Sequence, residues 1–359
     1  MKTITLFNNK GGVGKTTLTV NLASYLTSHC HKKVLVLDAD PQANSTQLVV
    51  SPEKWDELYP EIFGGESIHS INQTVKGLFQ PLLVGDRDIN PDVQFLSSEE
   101  HNFHFDLIPG NPALSRVEDI LSGAWEEAKS GRVGGIRTTN WLNILKKHGS
   151  NKGYDYLIID VGPSLGALNR SILLNSEYIV TPMGSDIFSL MGIRNIAEWI
   201  VDWRKKYNNS LELSELRQSP EELERYFINN SVESTTQLVG FSIQQYNSRK
   251  FKSGYRPVKA YDEIISKMPE SITQTLNFIV PQRITDTSQL NLGDIPYLNS
   301  IIPIAQSNNT PLYTLESSHG VRGGQTSNVV RYREMLNNIT TRLLSNISLL
   351  EGSDEKNEC

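Results

Sequence analysis

Near its start the chain joins a short apolar run to a glycine-rich turn and then to an amphipathic stretch, a junction that few folds accommodate. Thr3–Phe7 is β-branched and apolar, as expected of a buried strand, and it enters Asn8-Asn9-Lys10-Gly11-Gly12-Val13-Gly14-Lys15-Thr16-Thr17. Beyond the turn, Leu18, Leu22 and Leu26 repeat every four residues and put one apolar stripe on a helix. Strand, glycine turn and helix in that order let backbone N–H groups and a helix N-terminus surround phosphate oxygens. Gly11, Gly12, Val13 and Gly14 would form the cradle, Lys15 would reach the β and γ phosphates, and the Thr16 hydroxyl would bind Mg²⁺. The common pattern asks for glycine where this chain has Asn9, and the turn carries a second lysine, Lys10.

Further β-branched runs at Val34–Leu37, Tyr156–Ile159, Tyr178–Thr181 and Leu238–Ile243 alternate with helical patterns, the last of them about Val329 to Leu350. Near-continuous hydrophobicity suits strands buried on both faces, so the expected fold is α/β, a mainly parallel central sheet flanked by helices. Two of these runs end in acids: Asp38-Ala39-Asp40-Pro41-Gln42 and Asp160-Val161-Gly162-Pro163-Ser164. In a parallel sheet such strand ends open onto the edge where ligands bind, beside the glycine turn. Helix N-capping at a strand-to-helix turn is the competing reading of each acid taken singly. Turn-forming residues such as Gly64-Gly65 and Gly85-Asp86 to Pro91 interrupt the pattern. One domain over residues 1–350 is expected, with long loops at 51–104, 123–138 and 204–235 and an acidic tail at 351–359.

Taken together, Lys10–Thr17, Asp38–Gln42 and Tyr156–Ser164 resemble the deviant Walker A, Walker A′ and Walker B motifs of the ParA/MinD family of P-loop ATPases, and within it the ParA-type partition ATPases. The resemblance implies that Lys15 and Thr17 bind the phosphates of ATP, that Thr16 holds Mg²⁺, and that Asp160 supports Mg²⁺ through water. It implies that Asp40 positions or activates the attacking water and that Lys10 crosses an ATP-dependent homodimer to touch the partner's phosphates. Hydrolysis would then depend on dimerisation, as with an arginine finger. Asn247 and Pro303 fall where such proteins hold adenine; a turn-forming asparagine explains Asn247 nearly as well. The implied role is a switch with slow Mg²⁺-dependent ATP hydrolysis, for DNA or plasmid partition with a separate adaptor. The alternative is a related positioning or phage-defence switch that recruits a protein effector.

Charge bears on DNA. The formal net charge is −6, but residues 51–150 hold 9 Lys/Arg against 15 Asp/Glu and the remaining positions are balanced. From Tyr246 to Lys259 the chain has Arg249, Lys250, Lys252, Arg256 and Lys259 with no acid, a segment suited to non-specific DNA or, equally, to a solvated basic loop. No apolar run approaches a membrane span, and the acids after the last helix would repel anionic lipid, so membrane attachment is not expected. Two cysteines supply neither a disulfide framework nor a cysteine-rich zinc site. A cytoplasmic protein, nucleoid-associated where it binds DNA, is the expectation.

Overall fold

The computed structural model of the chain describes residues 1–352 apart from 61–72, 234, 247, 252–253, 258 and 298–299. Its centre is a seven-stranded sheet whose neighbouring strands all pair in parallel. In chain order the strands are β1 (Lys2–Leu6), β2 (Val34–Ala39), β3 (Asp106–Ile108), β4 (Tyr156–Val161), β5 (Tyr178–Gly184), β6 (Gln237–Tyr246) and β9 (Asn291–Pro296). Across the sheet they lie β3-β2-β4-β1-β5-β6-β9. A separate antiparallel hairpin, β7 (Ser248–Phe251) with β8 (Gly254–Pro257), follows β6.

Side chains alternate between the two faces, as the strand period requires. Val34, Val36, Tyr156 and Ile158 enter one apolar cluster, and Leu35, Leu37, Leu157 and Ile159 enter the other. On the first face lie α1 (Lys15–Ser28) and the C-terminal helix α10 (Gly324–Glu351). Leu18, Leu22 and Leu26 of α1 are buried, each contributing roughly 1.5–3 kcal/mol relative to exposure. The other face is covered by α3 (Leu114–Lys129), α4 (Val133–Thr139), α5 (Trp141–Asn151), α6 (Ala167–Asn175) and α7 (Ile187–Leu213), with α8 (Lys259–Thr275) beyond. Two six-residue helices, α2 (Asn44–Val49) and α9 (Ile302–Ser307), sit at strand ends.

The five expected strands and the first and last helices form where the pattern places them. The edge strands β3 and β9 escape that pattern, β3 because it has three residues and β9 because Asn291, Gly293, Asp294 and Pro296 are poor strand formers. Two expected loops are corrected. Residues 123–138 are helical on both sides of a short break, because Leu114, Val117, Leu121, Trp125 and Ala128 lie on one buried face of α3 among charged neighbours. The first third of 204–235 continues α7, anchored by buried Tyr207 and Leu211. Residues 353–359 of the acidic tail lie outside the described residues, and Glu351 ends α10 with its carboxylate 2.9 Å from Lys2.

Candidate nucleotide site

The glycine turn is held by its own backbone chemistry. Gly12 and Gly14 take φ of 72° and 78°, a region side chains disfavour, and Gly14 sits at the N-cap of α1. Asn8 ties the turn to β5: its Nδ2 donates to Pro182 O at 2.9 Å and its Oδ1 accepts from Lys10 N at 2.9 Å. Lys15 is buried, and its Nζ donates to Lys10 O at 2.9 Å. Burial lowers the Lys15 pKa, against the opposing pull of Asp160 and Asp40. The Lys10 ammonium instead pairs with Asp186, which caps α7 by accepting from Phe188 N at 3.0 Å and Ser189 N at 3.2 Å. Partial burial works to raise the Asp186 pKa, but Lys10 and these amides hold it below the usual carboxylate range.

The acids converge from adjacent strands. Asp38 of β2 stands in register beside Asp160 of β4, and both are fully buried. Burial first, then the charge of Asp160, raises the Asp38 pKa, although Asp38 Oδ2 accepts from Thr46 N at 2.8 Å and Thr46 Oγ1 at 2.7 Å. Burial likewise raises Asp160, while hydrogen bonding by Ser45 and Thr16 pulls it down. Ser45 Oγ donates to Asp160 Oδ2 at 2.8 Å, and Asp160 Oδ1 is buried without a hydrogen-bond partner. An orphaned carboxylate oxygen beside the Thr16 hydroxyl fits a hydrated hard cation, since Mg²⁺ prefers oxygen ligands and keeps several of its waters. Asp40 reaches the turn after β4: a Cβ on Gly162 would lie 3.2 Å from Asp40 Oδ1.

Gly11, Gly12, Gly14, Lys15, Thr16 and Thr17 line one cavity together with Asp40 and Pro163. Its volume of about 620 Å³ falls within the roughly 300–1,000 Å³ of small-molecule sites. The described structure therefore brings Lys10, Lys15, Thr16, Thr17, Asp40 and Asp160 to one sheet edge, with Val13 buried beneath the turn. Pro303 is exposed in the first turn of α9, and from that helix it is Gln306 that lines the cavity. Asn247 and Lys252 lie outside the described residues; Arg249, Lys250 and Arg256 fall on the β7–β8 hairpin and Lys259 starts α8. Motif reading misses Asp186, Ser45 and Trp55. For Asp186 a signal exists, a capping residue directly after a buried strand, whereas Trp55 falls in a stretch read as loop.

A phosphate-cradling turn on a parallel sheet, with acids at neighbouring strand ends, defines a P-loop nucleotide-binding protein. Residues 1–213 match the family model described as an AAA domain. The chain is 30% identical over 210 residues to the sporulation initiation inhibitor protein Soj of Bacillus subtilis, covering 58% of this chain and 69% of that one. It is 28% identical to the chromosome-partitioning ATPase Soj of Thermus thermophilus, over 59% of this chain and 67% of that protein. In structure it resembles a Corynebacterium diphtheriae protein with a TM-score of 0.72 and 27% identity, covering 97% and 99% of the two chains. The ATP complex of Cyanothece McdA shares the fold with a TM-score of 0.55 and 18% identity, covering 96% of each chain. The chain belongs to this AAA-domain family, among its ParA-type P-loop ATPases. Among the described residues no helix is long and apolar enough to cross a membrane.

Proposed function

We propose that the chain is an ATP-dependent dimerising switch that hydrolyses ATP slowly and serves DNA or plasmid partition with a separate adaptor protein. The observation that carries this reading is one cavity lined by the glycine turn, Lys15, Thr16 and Asp40, with Asp160 buried at the neighbouring strand end and a second lysine, Lys10, in the same turn. The Soj relative of Thermus thermophilus, named a chromosome-partitioning ATPase, supports the biological role. Lys15 and the turn amides bind the phosphates, and Thr16 and Asp160 would hold Mg²⁺, which would supply positive charge against the phosphates. Asp40 orients the attacking water and accepts its proton as the bond from the γ-phosphorus to the bridging oxygen breaks. Lys10 leaves Asp186 and crosses to the partner's phosphates, where its charge stabilises the transferring group. Non-specific DNA contact is assigned to Arg249, Lys250, Lys252, Arg256 and Lys259, and the protein acts in the cytoplasm at the nucleoid.

Sizing the protein with ATP, with ADP and without nucleotide tests the switch. Wild type should dimerise in ATP alone, and Asp40→Ala should accumulate the dimer; a protein that stays monomeric in ATP refutes the mechanism. Filter binding in ATP tests the DNA contact, whose affinity should fall steeply with salt and with charge reversal at Arg249 and Lys250.

A further inference from the structure

The cavity does not end at the phosphate cradle. It continues to Leu48 of α2, Gln306 of α9 and the indole of Trp55, which belongs to a helical turn, Trp55–Leu58, in the acidic stretch that the family motifs do not reach. Trp125, Trp141 and Trp203 are buried in the opposite layer; Trp55 instead packs partly against the α1-side core and also borders the cavity. Its position is anchored. Leu58 is buried, Lys54 pairs with Glu100, and Tyr59 Oη donates to Gly110 O at 2.6 Å. Gly110 N in turn donates to Thr46 Oγ1 at 2.8 Å, the hydroxyl that bonds Asp38. The turn bearing Trp55 is thus tied to the floor of the phosphate site through a chain of hydrogen bonds.

The geometry points to Trp55 as the aromatic wall on which the nucleotide base stacks, with the Gln47 and Gln306 amides beside it to meet the base's polar edge. An apolar, aromatic end beside a polar phosphate end matches the two ends of a nucleoside triphosphate, and stacking suits a partly buried indole bordering the cavity better than water does. This assignment rests on the nucleotide reading above and adds a determinant from a segment outside its motifs. Calorimetric titration of wild type, Trp55→Ala and Trp55→Phe with ATP·Mg²⁺ and with inorganic tripolyphosphate separates the two ideas. Trp55→Ala should weaken ATP about tenfold, the order that one stacked base supplies, while Trp55→Phe stays near wild type and tripolyphosphate binds all three alike. Unchanged ATP affinity in Trp55→Ala, or equal weakening of ATP and tripolyphosphate, overturns the assignment and leaves the phosphate site standing. A wild type that binds neither compound overturns both.

Discussion

The carboxyl edge of the sheet buries acids side by side, whereas the helical layer around residues 114–151 buries a network of mutually bonded amides, with Trp141 Nε1 and His148 Nε2 as its unpartnered atoms. At the edge, Asp38 and Asp160 are desolvated side by side, and one oxygen of Asp160 has no partner. In the layer, buried amides answer one another: Asn143 Nδ2 donates to Asn175 Oδ1 at 3.0 Å, Asn229 Nδ2 to the same oxygen at 2.7 Å, and Tyr207 Oη to Asn140 Oδ1 at 3.1 Å. A satisfied network fixes packing, whereas an unsatisfied acid is a cost that a bound cation can offset. The contrast separates what holds the fold from what the fold holds in reserve.

Two substitutions should split these roles most widely. Lys10→Ala removes a half-exposed ion pair worth at most about 1 kcal/mol to the fold, keeps ATP binding, and should lower hydrolysis on the order of a thousandfold if the lysine acts across a dimer. Steady-state phosphate release beside a thermal melt measures both; unchanged turnover removes the trans role. Trp125→Ala does the reverse. Its indole is buried and donates to Ser171 Oγ at 3.1 Å, so truncation should cost about 3–5 kcal/mol in a denaturant melt. ATP affinity of the molecules that remain folded should hold.

Smaller in effect, pH tests whether the edge acids are strained. An unfolded aspartate ionises near pH 4, while Asp38 keeps its proton to higher pH because of burial and the neighbouring Asp160. Between those values the native state binds more protons, so its stability falls as pH rises, and above them the penalty is constant. Without nucleotide or Mg²⁺, Asp38→Asn should melt above wild type at pH 8, with the gap closing toward pH 4. A gap that widens on acidification would mean that hydrogen bonds from Thr46 outweigh the desolvation.

The same contrast governs what the sequence discloses. Edge residues are legible because phosphate chemistry restricts type and spacing: glycine at 12 and 14 for positive φ, lysine at 15, acids where β2 and β4 end. The layer obeys only a helical period, and in 114–129 six charged residues among sixteen obscure it, so the second half of a packed helix reads as loop. Asp186 is legible as a cap, but its role beside the glycine turn is hidden for another reason. Its partnership with Lys10 joins residues 176 positions apart, a contact that depends on β5 lying next to β1 and that no local pattern encodes.

The two regions touch at Glu118, and the smallest predicted effect asks whether they are coupled. Glu118 projects from α3 to the first turn of α6, where its carboxylate accepts from Ala167 N at 2.5 Å and Leu168 N at 2.9 Å. Gly166 at the N-cap offers no side-chain acceptor, so a neighbouring helix supplies the cap together with a negative charge at the positive helix end. In the same turn, Asn169 Nδ2 donates to Gly162 O and Ser164 O, both at 2.8 Å, fixing the turn against which Asp40 sits. Loss of a helix cap costs about 1 kcal/mol, which Glu118→Ala should show in a melt. If the cap also sets the pose of the Gly162 turn, hydrolysis per folded molecule should fall severalfold with ATP affinity unchanged, since Lys15 and the glycine turn are untouched. Glu118→Gln, which retains one acceptor oxygen, should recover part of both losses. A destabilised Glu118→Ala protein with wild-type turnover would leave the helical layer as scaffold alone, and the separation between the two regions would be complete.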